Sequence, residues 1–432
     1  MMLNKVISIL KQSEADAWEV VSTKTRGWEF YFIKKRLDQN RAKDIEEIRV
    51  KIYKKSDNGE SMGSAVAAVP PTASEDELFS LVNKLVYEAS LIKNKSFDLV
   101  RPSETAADTP RFHSLPVMSD EYFRAMNAVE ESDTEDLNSY ELFCSHVTKR
   151  IVNSNGVDVS MTYPVSAAEV VINARNQDRE IELYRMYQSG SCDPQTLTAD
   201  IQRTMKLGKD RLTAKPTPEI DGSIPVVFST EASREIYGYF LGNLNAAYVY
   251  RKLSSFVIGE PILEPSDGDR VTLRSVRFLP NSSGNGGFDE EGSLIRDKML
   301  LDAGIPVAYW GSRMFSQYLG LDDSFMVRNW VVDGGHHTES EIRSGDYLEL
   351  VEFSDFQVDD IAGDIFGEIR LGYLHRNGEI LAVTGGSVSG DMKDNLVDLW
   401  MSDTQVQYNN VILPKLTRLN HVTVTGVRAN ND

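Results

Sequence analysis

The chain is poor in the residues that build metal sites, disulfide frameworks and nucleic-acid surfaces. Only two cysteines, Cys144 and Cys192, occur in 432 residues. Neither has a metal-like neighbour at ligand spacing, so both suit reduced thiols in packing positions. Six histidines occur, and none lies between His146 and His336. Basic residues are outnumbered, 46 Lys and Arg against 65 Asp and Glu, for a formal charge of −19. The deficit is concentrated in residues 216–432, which hold 17 Lys and Arg against 32 Asp and Glu. Phosphate binding rests on Lys and Arg clusters that displace counterions, so this composition argues against nucleic acid as a direct partner. No apolar run is long enough to span a bilayer. The N-terminal stretch MMLNKVISILKQSEADAW lacks a signal peptide's apolar core and small-residue cleavage site. The expectation is a cytoplasmic protein with no membrane partner.

What is present points to two domains, since 432 residues exceed one ordinary core. Leu3, Val6, Ile7 and Leu10 fall at helical spacing. Trp28–Ile33 and Ile48–Tyr53 read as strands, separated by a charged stretch from Lys34 to Glu47 that reads as a solvated face. Asp57-Asn58-Gly59 is a hairpin turn, and Ser74 to Glu77 is a capping box opening a helix with Leu78, Val82, Leu85 and Ala89 on one face. Residues 94–118 read as a linker, and Glu121–Glu131 as a short helix. Strands are expected at Leu142–Val152, Val157–Thr162, Ala168–Ala174 and Ile181–Tyr187, and Asp193-Pro194 opens another helix. Lys215-Pro216-Thr217-Pro218 marks the expected boundary. Short β-like runs separated by Gly and Asp turns follow it, after one helix beginning near Thr230. The expected fold class is α+β, with an N-terminal mixed α/β-ribbon domain, 1–215, and a mainly β C-terminal domain, 216–432.

One stretch concentrates the candidate chemistry. A glycine-rich loop, Asn281 to Gly287, ends at Phe288, followed by Asp289, Glu290, Glu291 and Gly292. An unpaired buried carboxylate costs several kcal/mol or neutralises itself, so three adjacent acids cannot all face an apolar core. Phe288, Asp289, Glu290, Glu291 and Gly292 are therefore candidate peptide-binding residues lining a chamber, against the plainer reading of a solvated turn. The glycine-rich loop lacks the strand–loop–helix setting and the Lys-Ser/Thr ending of a phosphate loop. No serine sits in a nucleophile elbow. His336-His337 stands among Asp333, Glu339 and Glu341, but adjacent histidines rarely share a ligand direction, and Thr338 to Glu341 is a capping box that accounts for its acids. The pair reads as exposed loop residues.

FDEEG followed by an apolar segment ending in Ala303-Gly304 resembles the FDDEG…G signature of the TldD/PmbA family, the so-called modulators of DNA gyrase. Asn329-Trp330-Val331-Val332-Asp333-Gly334, Gly372 to Glu379 and Ser387-Val388-Ser389-Gly390 follow in the family's order, and Asn153-Ser154-Asn155-Gly156 resembles its upstream NSxG turn. The resemblance implies a zinc-peptidase lineage whose catalytic members carry HExxxH on the first helix of the C-terminal domain and a cysteine ligand near its end. Two histidines about one helical turn apart can point at one metal while the glutamate polarises its bound water. Here the matching helix, Glu231 to Gly242, has no histidine, and the matching C-terminal stretch, Tyr408 to Pro414, has no cysteine. Tyr237, Tyr239 and Phe240 on that helix read as core packing.

The departure points to the PmbA/TldE side of the family. What it implies is a non-catalytic subunit of a TldD/PmbA-type metalloprotease assembly that processes or degrades unfolded peptides. No catalytic residue, metal ligand or cofactor is expected in this chain. Its expected partners are a TldD-like HExxxH-bearing subunit and unfolded peptides, with a homodimer when the chain is alone. The alternatives are a stand-alone hydrolase built on Asp289, Glu290, Glu291 or His336 and His337, and a structural homo-oligomer.

Overall fold

A computed structural model describes residues 2–103, 111–220, 222–264 and 266–427. Its N-terminal half is organised by strands far longer than their apolar centres. Helix α1 (Met2–Gln12) is followed by β1 (Ala17–Ile33), β2 (Arg36–Ser56) and β3 (Ser61–Val69). Then come α2 (Glu75–Ser90), β4 (Asn94–Lys95), α3 (Leu115–Ala128), β5 (Glu135–Asn153), β6 (Asp158–Arg175), β7 (Glu180–Ser189) and α4 (Pro194–Thr213). The seven strands form one sheet in the order β4-β3-β2-β1-β5-β6-β7. Trp18 and Val20 of β1 lie under α1 and α2, whereas Phe30 and Phe32, further along the same face, pack with the α3 and α4 cluster. Ser74 caps α2 in a complete capping box, and Leu78, Val82, Leu85 and Ala89 are its buried face.

Several elements differ from the sequence expectations. The charged stretch from Lys34 to Glu47 is mostly strand: the chain turns at Lys34, with φ of 53°, and β2 runs straight through the charges. This part of β2 is exposed, so cross-strand ion pairs to β1 such as Arg26–Asp44 (3.1 Å) and Arg41–Glu29 (3.0 Å) take the place of apolar packing. The helix expected at Glu121–Glu131 is α3 and starts six residues earlier, with Ser114 at its N-cap and Pro116 in its first turn. Two expected strands fuse into β6 across Pro164, which pairs with His146 of β5. β7 pairs with β6 only from Ser166 onward, so Pro164 lies where the outer edge is open and its missing N–H breaks no ladder. Of the stretch read as a linker, residues 104–110 lie outside the described residues, and the rest contributes β4 and the start of α3.

The C-terminal half begins with β8 (Lys215–Pro216), β9 (Val226–Ser229) and α5 (Thr230–Asn243). It continues through β10 (Leu273–Val276), β11 (Lys298–Asp302), β12 (Ile305–Pro306) and β13 (Asn329–Val332). The long hairpin of β14 (Tyr347–Val358) and β15 (Asp364–Arg376) precedes β16 (Glu379–Thr384) and β17 (Ser387–Asp391). β18 (Trp400–Met401), β19 (Gln405–Tyr408), β20 (Val411–Pro414), β21 (Leu416–Leu419) and β22 (Val422–Thr425) complete it. One sheet runs β12-β11-β10-β13-β20-β19; the other follows β18-β21-β9-β14-β15-β16-β8, with β17 pairing β15 and β22. Both sheets and α5 share one apolar cluster that includes Phe228, Ile236, Tyr237, Phe240, Leu273, Trp330, Leu350 and Leu413. The fold is α+β. Lys215–Pro216, read as a connector, is a parallel edge pair of Val383–Thr384, so the chain enters the second sheet as soon as α4 ends.

Candidate functional site

The acidic turn lies at the joint between the two halves. Asp289 is fully buried. Its Oδ1 accepts the N–H groups of Glu291 and Ser293, both at 2.9 Å, and its Oδ2 accepts that of Met326 at 2.8 Å. Burial pushes its carboxyl up to about 6, although those three donors pull the other way. Glu290 is exposed and pairs with Lys149 of β5. Glu291 is half-buried and accepts the N–H of Arg313 at 2.7 Å; burial, with Asp289 and Glu19 nearby, pushes it up to about 7. Phe288 packs with Met161 and Tyr163 of β6. Gly292 has φ of +86°, and a Cβ there would meet Val157 at 2.9 Å. Of the five candidate peptide-binding residues, Glu290 alone presents an exposed side chain.

The loop before the turn continues the joint. Asn281 accepts the N–H of Gly190 on its carbonyl (2.7 Å) and that of Ser191 on its Oδ1 (2.6 Å). Asn329, fully buried, accepts from Ser282 Oγ at 2.6 Å and donates to the Arg277 carbonyl at 3.1 Å and to Asn285 Oδ1 at 3.0 Å. In the upstream turn, Asn153 Oδ1 accepts the N–H groups of Asn155 and Val157, while its Nδ2 donates to the Val100 carbonyl. A buried pair between Arg185 of β7 and Glu352 of β14 ties the halves at another point.

Helix α5 offers poor ligands for zinc. If Glu231 stands for the glutamate of HExxxH, Thr230 and Glu235 stand where the histidines would be. The Thr230 hydroxyl donates to the Lys415 carbonyl at 3.1 Å. Glu235 is exposed and offers a lone carboxylate in place of an imidazole; partial desolvation raises its carboxyl above the ordinary value, with Arg234 pulling the other way. Among the described residues no group of three or more His, Cys, Asp or Glu could hold a metal ion. These residues do not fit the family's zinc.

The histidine pair is built differently from its expected form as exposed loop. Asp269, which is buried, receives His336 Nδ1 at 2.6 Å on Oδ1 and His337 Nδ1 at 3.0 Å on Oδ2. It also accepts the N–H groups of Met401 (2.7 Å) and His336 (3.2 Å). His336 is exposed, but His337 is largely covered and stacks on Trp400 with centroids 4.4 Å apart. Asp333, Glu339 and Glu341 turn elsewhere, to Arg274, Lys415 and the Thr338 cap. Asp269 lies 67 residues upstream in an irregular segment, where no local pattern singles it out.

A second junction of the halves stays open. Between β7 and the start of α4 on one side, and Pro280–Asn281 and Gln407–Asn409 on the other, lies a cavity of about 330 Å³. Tyr122, Tyr187, Cys192 and Leu197 contribute its walls, with Asp193 and Asp200 at the start of α4. Burial raises the Cys192 thiol and pushes Tyr187 up to about 12, so neither is an activated nucleophile or base. Burial also raises Asp200, partly offset by Arg203. Tyr408 points its hydroxyl at Glu231 Oε1, 3.4 Å away, which brings the first turn of α5 to the cavity's border. Among the described residues β19 is the edge of its sheet and pairs with β20 alone, across a two-residue turn at Asn409-Asn410. In that register Val406 and Tyr408 bond to β20, and Gln405 and Gln407 turn their main-chain groups to the open edge.

Residues 221–426 match the PmbA/TldA metallopeptidase C-terminal domain, which places the chain in the metallopeptidase-related class. The chain is 26% identical over 338 residues to the metalloprotease PmbA of Escherichia coli O157:H7, covering 72% of each. Its fold is shared with TldE from Thermococcus kodakarensis (TM-score 0.75, 14% identity, 98% of this chain and 100% of that one). It is also shared with a Bacteroides thetaiotaomicron VPI-5482 structure carrying the name of a DNA gyrase modulator (TM-score 0.76, 15% identity, 98% of each). Residues 221–426 are thus a C-terminal domain of the PmbA/TldA type, and the match to PmbA across 72% of the chain supports membership of the TldD/PmbA family.

Proposed function

We propose that this chain is the non-catalytic subunit of a metallopeptidase assembly. It pairs with a related HExxxH-bearing chain, completes the chamber in which unfolded peptides are processed, and holds an extended peptide by strand addition along β19. The observation that carries this reading is the donor set of α5: a hydroxyl already bonded to the Lys415 carbonyl and a single glutamate stand where two imidazoles are needed. The retained full-length fold supports it, because a shape kept without ligands still serves as half of an enclosed chamber. Alone, the same face pairs with a second copy, since related chains offer a nearly two-fold interface. The candidate peptide-binding residues act in this reading mainly by fixing the joint, with Glu290 the carboxylate able to meet a peptide.

The test is to mix the chain with an HExxxH-bearing relative from the same organism and follow a sizing column and a fluorescent-peptide assay. A heteromer at micromolar concentration that cleaves unfolded peptides, with little cleavage by either chain alone, is the expected result. Two chains that elute apart, or cleavage by this chain unaided, would return the stand-alone hydrolase or the structural oligomer.

A further inference from the structure

Strand β19 and the cavity beside it are continuous, because Gln407 and Tyr408 belong to both and Asn409, in the turn that follows, also lines the cavity. A peptide strand added to β19 projects alternate side chains to opposite faces of the sheet, so every second one can meet the cavity wall. At about 330 Å³ the cavity is at the small end of ligand-sized sites, room for a side chain rather than for a folded segment. Its apolar lining comes from Tyr187, Leu197, Pro280 and Tyr408, beside polar residues such as Gln188 and Asn281. The charged residues lining it are Asp193 and Asp200, and no Lys or Arg is among them.

We infer that this cavity is a specificity site for an apolar or aromatic side chain of a peptide bound along β19, and that it rejects acidic side chains. The inference rests on the strand-addition reading above and deepens it by naming the substrate class. Apolar walls reward burial of hydrocarbon in proportion to the area removed from water. Asp200 pairs with Arg203 and Asp193 caps α4, yet both carboxylates line the space and no Lys or Arg does, so a third carboxylate meets negative charge at the wall while a basic residue next in the peptide is tolerated.

The test uses the intact chain and fluorescent Thr/Gln hexapeptides, capped at both ends, with one central residue set to Phe, Leu, Ser or Glu. Binding is read by anisotropy. The Phe and Leu peptides are expected to bind about tenfold tighter than the Ser peptide, and the Glu peptide more weakly still. Thr196 is an exposed residue of the first turn of α4 that also lines the cavity, so Thr196→Trp fills the space without entering the core. It should reduce the Phe-over-Ser preference to about twofold or less, with an unchanged thermal melt confirming the fold. Asp200→Asn should recover part of the Glu peptide's binding. Equal affinity for Phe and Ser in the unaltered chain, or a preference that survives Thr196→Trp, overturns the cavity assignment. Alternate N-methylation of the Phe peptide separates the two levels. If it abolishes binding while no side-chain preference exists, strand addition stands and the cavity assignment falls. If N-methylated and parent peptides bind alike, or no peptide binds, strand addition itself is wrong.

Discussion

The joint around Asp289 and the cleft around Tyr408 are built from similar residues, yet they use them in opposite ways. At the joint, buried polar side chains are fully engaged: Asp289 takes three main-chain N–H groups, and Asn329 accepts from the Ser282 hydroxyl and donates to the Arg277 carbonyl and to Asn285 Oδ1. In the cleft, Tyr408 reaches a carboxylate at only 3.4 Å, Asp200 is paired within its own helix, and the edge of β19 is unpaired. Side chains with no capacity left hold the fold, and side chains with capacity to spare are the ones available to a ligand. The strongest sequence motifs of this chain belong to the first kind.

That contrast can be broken by substitution, and the largest effect is expected at the joint. Asp289→Ala leaves three buried N–H groups without an acceptor, for a loss of about 3–5 kcal/mol in urea unfolding or failure to accumulate as folded protein. A loss below about 1 kcal/mol would put Asp289 in the solvated class after all. The next effect is pH-dependent. Asp289 and Glu291, raised to about 6 and about 7 from 3.8 and 4.5, hold protons in the folded chain that the unfolded chain releases. Their contribution therefore favours folding at low pH and is lost as pH rises through 6 to 7. Asp289→Asn combined with Glu291→Gln should flatten that part of the urea-midpoint profile between pH 5 and pH 8; an unaltered profile would remove these two groups as its source.

Smaller effects separate the two histidines and then the cleft. His337→Ala loses a stacked ring and a bond to a buried carboxylate, about 1–2 kcal/mol, while His336→Ala should cost about 0.5 kcal/mol or less because that ring is exposed. Equal losses would show that Asp269 needs both rings alike. Smallest of all, Tyr408→Phe should shift the unfolding midpoint by the equivalent of about 0.5 kcal/mol or less, since its hydroxyl bond is long and partly wet. A larger shift would move Tyr408 from the cleft to the joint.

Local pattern made much of the fold legible. The capping boxes at Ser74 and Thr338 and the Asp193 cap of α4 state their geometry within four residues of sequence, and the structure keeps all three. Gly156 marks its turn with φ of +96°. The first half of β2 was not legible, because an exposed, charged strand loses the alternation that marks a half-buried one. At the site, the motif around Phe288 located the joint but not the burial of Asp289, whose third donor, Met326, lies 37 residues away. Asp269 beneath the histidine pair, the Arg185–Glu352 tie and the approach of Tyr408 to Glu231 all join residues more than 60 positions apart. Such pairings come from topology, and a single sequence carries no short-range trace of them.

The account depends most on α5 being unable to hold a metal. Elemental analysis of the dialysed chain, alone and mixed with an HExxxH-bearing relative from the same organism, tests that directly. The expected result is no stoichiometric zinc in the chain alone and a single zinc per heteromeric pair, carried by the partner. One tightly held zinc in the chain by itself, or two in the pair, would contradict it.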